Sequence, residues 1–201
     1  MGRKNRTSIL FDGCYAHVFS RAADKRSIFG GDEDFEKFKS LLLASKQKFC
    51  YRIHHYCLMH THFHLAVSMD HTKQFSEGLK WVKWNYARYF NFRNQRFGPL
   101  WRDRFKSLLI EDERYLQACG RYIEGNPVEA RIVKRCEDWP HSSSRHYLKG
   151  QVAVLVDAYA FDGEPIKIKV DEEKFFTQGP VIGSDLFRIQ FEEESVLPVP
   201  G

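Results

Sequence analysis

Tyr56-Cys57-Leu58-Met59-His60-Thr61-His62-Phe63-His64-Leu65-Ala66-Val67 is the stretch whose reading decides the fold. In an extended strand, successive side chains point to opposite faces. Phe63, Leu65 and Val67 then share one face and can bury it against a core. His62 and His64 stand side by side on the other. Two adjacent imidazoles on an open face are a ready ligand pair for a divalent cation. The same spacing also allows a structural zinc site that recruits His60, or a strand whose imidazoles are satisfied by hydrogen bonds.

Outward from that strand, Cys50 to Leu58 reads as its neighbour, with the histidine strand itself at roughly 61–69. Cys14 to Arg21 alternates and reads as a first strand. Phe29-Gly30-Gly31-Asp32 is a turn ending in a helix-capping acid, and Phe35, Phe38, Leu41, Leu42 and Ser45 follow at helical spacing, so a helix is expected over 32–48. Phe75, Leu79, Val82, Tyr86 and Tyr89 or Phe90 mark the buried stripe of a long helix over 72–93. After the break at Phe97-Gly98-Pro99, a fourth strand is expected over 100–110. Glu111-Asp112-Glu113 then opens a helix with acids at the end that the helix dipole favours. Asn126-Pro127 is expected to interrupt or kink that helix, with a resumed turn or two to Val133, and a last short helix ends near Leu148.

The order strand, helix, two strands, helix, strand, helix is that of an α+β, ferredoxin-like antiparallel sheet with helices packed mainly on one face and the two histidines on a central strand. Residues 1–150 are expected to form this domain. Residues 151–201, rich in turns and weakly patterned, read as an acidic appendage that is only partly ordered.

The 201 residues are 43% hydrophobic and 15% aromatic, enough for one sizeable core. No apolar run approaches the ~20 residues needed to cross a bilayer, which excludes a helical membrane protein. The basic start, Met1-Gly2-Arg3-Lys4-Asn5-Arg6, is followed by no apolar region, so no signal peptide is expected. Five scattered cysteines without a Cys-x-x-Cys argue against a disulfide framework and point to the reducing cytoplasm. The net charge of +5 is unevenly spread: residues 151–201 carry 10 acids and 4 bases, and the first 150 carry 16 acids and 27 bases. Such a basic body attracts polyanions, nucleic acid first.

A cation on two histidines needs a partner, and Arg121-Tyr122-Ile123-Glu124-Gly125-Asn126-Pro127 supplies one. Tyr122 and Asn126 are four apart, hence one turn apart on one helical face. Asn126 can offer a carbonyl oxygen as a third ligand, with the Tyr122 phenol beside it. This combination suits transesterification at a phosphodiester: the metal spreads the charge that builds on the phosphate, and tyrosine attacks phosphorus to give a covalent phosphotyrosine.

Several segments, in order, resemble the single-tyrosine HUH transposases, and among them the REP-associated tyrosine transposase group. They are Tyr15-Ala16-His17-Val18-Phe19-Ser20-Arg21, Ile28-Phe29 with Asp34-Phe35-Glu36-Lys37-Phe38, Met59-His60-Thr61-His62-Phe63-His64-Leu65, Pro99-Leu100-Trp101-Arg102-Asp103-Arg104-Phe105, Tyr122 through Ala130, and Asp138-Trp139-Pro140-His141-Ser142-Ser143. The resemblance covers roughly residues 8–148. It implies His62 and His64 as metal ligands, Tyr122 as nucleophile and Asn126 as a further ligand. It also implies magnesium or manganese as the metal, and cleavage and rejoining of single-stranded DNA at hairpin-flanked sites by a monomer or homodimer. The chain departs from the pattern at His60-Thr61, where family members usually carry Pro-Asn. A non-catalytic hairpin-binding module that retains the fold is the alternative.

Residues 73–106 interleave cations with rings. Lys83, Arg88, Arg93, Arg102 and Arg104 are the expected nucleic-acid contacts, with Trp84 as a platform for stacking an unpaired base. Arg3, Lys4 and Arg6 could add a basic arm.

Overall fold

The computed structural model describes residues 10–159 and 181–184. The first six long elements are β1 (Tyr15–Arg21), α1 (Asp32–Phe49), β2 (Tyr51–Met59), β3 (His62–Met69), α2 (Thr72–Arg93) and β4 (Lys106–Ile110). They are followed by α3 (Glu113–Glu129), the short α4 (Ser144–Lys149) and the two-residue β5 (Val181–Ile182). The sheet order is β2-β3-β1-β4-β5. The first four strands pair antiparallel, as a ferredoxin-like sheet requires, and β5 adds to β4 in parallel. β3 is therefore flanked on both sides.

The register sorts the side chains as the alternation expects. Ala16 pairs with Val67, Val18 with Leu65 and Ser20 with Phe63, so these share one face. α1 and α2 cover it. Phe38 packs on Phe63 and Tyr86, and Phe75 on Tyr51, while Gly78 lets the two helices approach at Ser45 and Phe49. Phe19 pairs with His64, Arg21 with His62 and His17 with Ala66 on the opposite face. α3 lies on that second face: Gly120 sits against the His55 ring, which pairs with Ala66 across β2 and β3. Two of the three long helices thus cover one face, and the third crosses the other.

Three boundaries differ from expectation. The fourth strand begins at Lys106, because Trp101 bridges to Ala22 and the Arg102 amide bonds to the Arg21 carbonyl, folding 100–102 across the end of β1. α3 runs through Pro127 without interruption. Proline leaves the Ile123 carbonyl without its usual amide donor, and the Asn126 side-chain Nδ2 donates to both Ile123 O (3.2 Å) and Tyr122 O (2.9 Å) instead. The helix does not resume to Val133, because Arg131 turns left-handed (φ 56°) and the Ile132 amide closes back on the Pro127 carbonyl.

Packing continues across the expected boundary at Gly150. Leu155 is buried, and the Asp157 carboxylate accepts from the Ile53 amide and from Lys46. The basic arm at Arg3, Lys4 and Arg6 and most of the acidic stretch lie outside the described residues. Among those described, no helix is long and apolar enough to cross a membrane.

Candidate metal and tyrosine site

Both histidines of β3 are held by their Nδ1 atoms. His64 Nδ1 lies 2.9 Å from His17 Nε2, the two rings stacking at 16°. His62 Nδ1 lies 2.9 Å from Thr61 Oγ1. In the tautomer where each Nδ1–H donates, both Nε2 lone pairs are left for a cation, the arrangement that orients metal-bound imidazoles. The His62 and His64 rings sit 5.1 Å apart, nearly perpendicular. Burial, reinforced by Arg21, lowers the pKa of His62 to about 4. Burial, with His17, His62 and Arg21 adding to it, pushes that of His64 well down, and burial takes His17 to about 3. All three rings are neutral at pH 7, the form that ligates metal.

Tyr122 comes to the same face. Its ring stands edge-on to His17 (6.2 Å between centroids) and to His64 (6.3 Å). α3 is set there by two contacts near the tyrosine. Gly120 lets the helix settle onto the His55 ring. Glu124 accepts from His55 Nδ1 (2.9 Å) and from Ser143 Oγ (2.6 Å), tying α3 to β2 and to the start of α4. Asn126 lies one turn beyond Tyr122. Its Nδ2 is committed to two backbone carbonyls, so Oδ1 is the atom that would serve as the expected third ligand. Two imidazole nitrogens and an amide oxygen are a donor set that fits a divalent ion such as Mg²⁺ or Mn²⁺, with the remaining positions open to phosphate and water.

His60 does not join this group. Its Nδ1 bonds to the Phe29 carbonyl (3.0 Å), and its ring packs against Phe35 and Trp139. No trio of His, Cys, Asp or Glu converges among the described residues, which removes the three-histidine zinc site. Thr61, the other departure from the family pattern, supplies the hydroxyl beside His62.

The expected nucleic-acid contacts divide. Arg102 and Arg104 are exposed and line a cleft of about 410 Å³. Arg102 also lines a second cleft of about 860 Å³ that reaches Thr61 and His62. Trp84 (57% exposed) and Arg88 lie on the outer side of α2, across the sheet from the histidines, with the Arg88 guanidinium 4.6 Å over the Trp84 ring. Lys83 is not a surface cation. It is 7% exposed, and its ammonium donates to Ser20 Oγ (2.7 Å) and the Asp103 carbonyl (2.8 Å), fastening the 101–105 segment to β1. Arg93 is bound up with Glu33 and Asp34 at the start of α1, so its charge is already neutralised. His17 and Arg21 were missed among the candidates. The alternation of Tyr15, His17, Phe19 and Arg21 on one face of β1 was the available signal; the register against β3 was not readable.

The sequence matches the family described as Transposase IS200 like over residues 11–126. The chain belongs to that family. Among solved structures, it is similar to a REP-associated tyrosine transposase bound to a REP hairpin. The TM-score is 0.62 at 18% identity, covering 82% of this chain and 96% of that one. A Deinococcus radiodurans protein assigned as a transposase aligns at a TM-score of 0.42 and 16% identity, over 62% of this chain and 97% of that one. No curated protein matches. The family match ends at Asn126, so it includes both histidines, Tyr122 and Asn126.

Proposed function

We propose that this transposase cleaves and rejoins single-stranded DNA at hairpin-flanked sites through a covalent link to Tyr122. The observation that carries the reading is the approach of the Tyr122 ring to His64, while the Nδ1 contacts of His62 and His64 leave both Nε2 atoms without another partner among the described residues. The REP hairpin bound by the similar structure supports a hairpin as the recognised element.

His62, His64 and the Asn126 oxygen would hold the ion. A divalent cation bound there supplies Lewis-acid neutralisation of the charge that grows on the phosphate. Tyr122 attacks phosphorus, the Tyr122 O–P bond forms, the P–O3′ bond breaks, and the phenol proton ends on the departing 3′-hydroxyl. The phosphotyrosine conserves the bond, so a second 3′-hydroxyl reverses the step and joins strands without ATP. Tyr122 reaches the histidines of its own chain, which supports a working site within one monomer. Arg102 and Arg104 would hold the strand beside the site, and Trp84 with Arg88 more distant DNA. A cytoplasmic protein fits this role.

A suicide oligonucleotide carrying a hairpin, incubated with Mg²⁺ or Mn²⁺, should leave a covalent adduct on a denaturing gel. Tyr122→Phe should abolish it while preserving binding. An adduct of equal yield in Tyr122→Phe overturns the assignment, and tight hairpin binding without any adduct returns the chain to a binding module.

A further inference from the structure

The two clefts beside the histidines share two residues, Arg21 and Arg102. Arg21 stands directly across from His62 in the β1–β3 register, and cross-strand partners sit ~5 Å apart at Cβ. Its backbone is held by the Arg102 amide (3.1 Å), and the Ala23 amide bonds to the Leu100 carbonyl (2.9 Å). The saddle between the clefts is therefore a paired piece of backbone, and it carries two exposed guanidinium groups. Lys25 lies on one side of it, and Arg104 and Lys106 on the other, against only Asp24 and Asp103. Lys106 pairs across from Phe19, which pairs across from His64, so the cationic line runs past the ligand pair.

We propose that the two clefts are one track for a single DNA strand, crossing the end of β1, and that Arg21 grips the phosphate adjoining the one that Tyr122 attacks. The inference rests on the proposed strand-cleaving function and adds the path of the strand and a positioning residue. Guanidinium matches phosphate in a two-pronged geometry that ammonium cannot reproduce. A neighbour phosphate held in this way fixes the register of the strand, and so which bond meets the tyrosine. A phosphate contact carries no base information, so the grip is expected to be indifferent to sequence.

The test combines protein and DNA changes, using the hairpin oligonucleotide with a single-stranded flank that binds best in a repeat-derived set. Single methylphosphonates, each removing one phosphate charge, are placed along the flank. Binding is read by fluorescence anisotropy on a Tyr122→Phe background, so chemistry plays no part. Arg21→Ala should weaken binding about 10-fold or more and lower the salt slope by about 0.7. Arg21→Lys should recover only part of the loss. One methylphosphonate position should weaken the Arg21 protein yet leave the Arg21→Ala protein unchanged. With Tyr122 restored, that position should adjoin the cleaved bond. Additive losses at every position, or unchanged binding in Arg21→Ala, would overturn the track. If the coupling appears but Tyr122 forms no adduct with any DNA, the track stands and the strand-cleaving function falls.

Discussion

Among single residues, His17 is the neighbour that orients His64, one of the two imidazoles proposed to hold the cation. It is fully enclosed and held neutral, and its Nε2 lies 2.9 Å from His64 Nδ1, accepting from it in the tautomer that leaves His64 Nε2 free for a cation. Without that contact His64 could rotate or take the other tautomer, and either change would remove the second nitrogen of the proposed site. His17→Phe retains a flat ring and removes the hydrogen bond. It is expected to weaken Mn²⁺ binding about 10–100-fold, as measured by calorimetric titration; equal affinity in the variant would show that His64 is oriented by its packing alone. The adjacency of His62 and His64 was legible because their spacing is local, two residues apart on one strand. His17 was not, because it lies 47 positions away in sequence and only the strand register brings it to His64. Asn126 was not legible as the residue that replaces the donor Pro127 lacks, and so the interruption expected at that proline does not occur. Lys83 misled for a related reason. A lysine on a helix reads as wet unless a partner is visible, and Ser20 and the Asp103 carbonyl come from distant segments.

At the scale of elements, the position of Tyr122 depends on how closely α3 settles on β2. Gly120 faces the His55 ring, and a methyl group there would overlap it. The ring cannot yield cheaply. Its Nδ1 is engaged by Glu124, its Nε2 lies 3.1 Å from the Tyr159 hydroxyl, and it stacks on Tyr147 at 4.5 Å. Gly120→Ala should therefore lift α3 two residues before the tyrosine. The expected cost is about 1–3 kcal/mol of stability, read as a lowered denaturation midpoint. Adduct formation should fall more steeply than DNA binding, since the distance from phenol to phosphate changes while the cationic clefts around Arg102 do not. A variant of normal stability and normal adduct yield would mean that α3 is not seated by this contact. The helices themselves were legible from apolar spacing and from the acids at the start of α3, of which Asp112 turns out to cap it by accepting from the Arg114 and Tyr115 amides. The side of the sheet that α3 takes was not. Its stripe of Leu116, Cys119 and Ile123 would suit either face, and only the small residue opposite a fixed ring selects one.

For the whole molecule, the alternating strands and two amphipathic helices determined a ferredoxin-like sheet in advance. The returns of Leu155 to the core and of Val181–Ile182 to the edge of β4 carry no periodic signal and were not readable. The fold also stores a set of neutral imidazoles. Burial holds His62 and His141 at about 4 and His17 at about 3, and pushes His64 well below its ordinary value of 6.5. The unfolded chain lacks this burial, so there each histidine takes up a proton as pH falls through about 6.5. The unfolded state then binds more protons than the folded one, and stability declines on acidification from 6.5 toward 4. Each enclosed ring contributes up to about 1.4 kcal/mol per pH unit over that interval. The Asp12 carboxylate, held low by hydrogen bonds from Thr72, keeps its charge down to about 2, so its stabilisation is lost below this window. Urea midpoints of the metal-free protein at pH 7, 6 and 5 are expected to fall progressively, with little change between pH 7 and 8. His17→Phe should show a shallower fall, because one of the rings that charges only on unfolding is gone. A flat profile from pH 7 to 5 in the parent chain would mean that these imidazoles accept protons in place, and that the face presenting them to a cation is open to water.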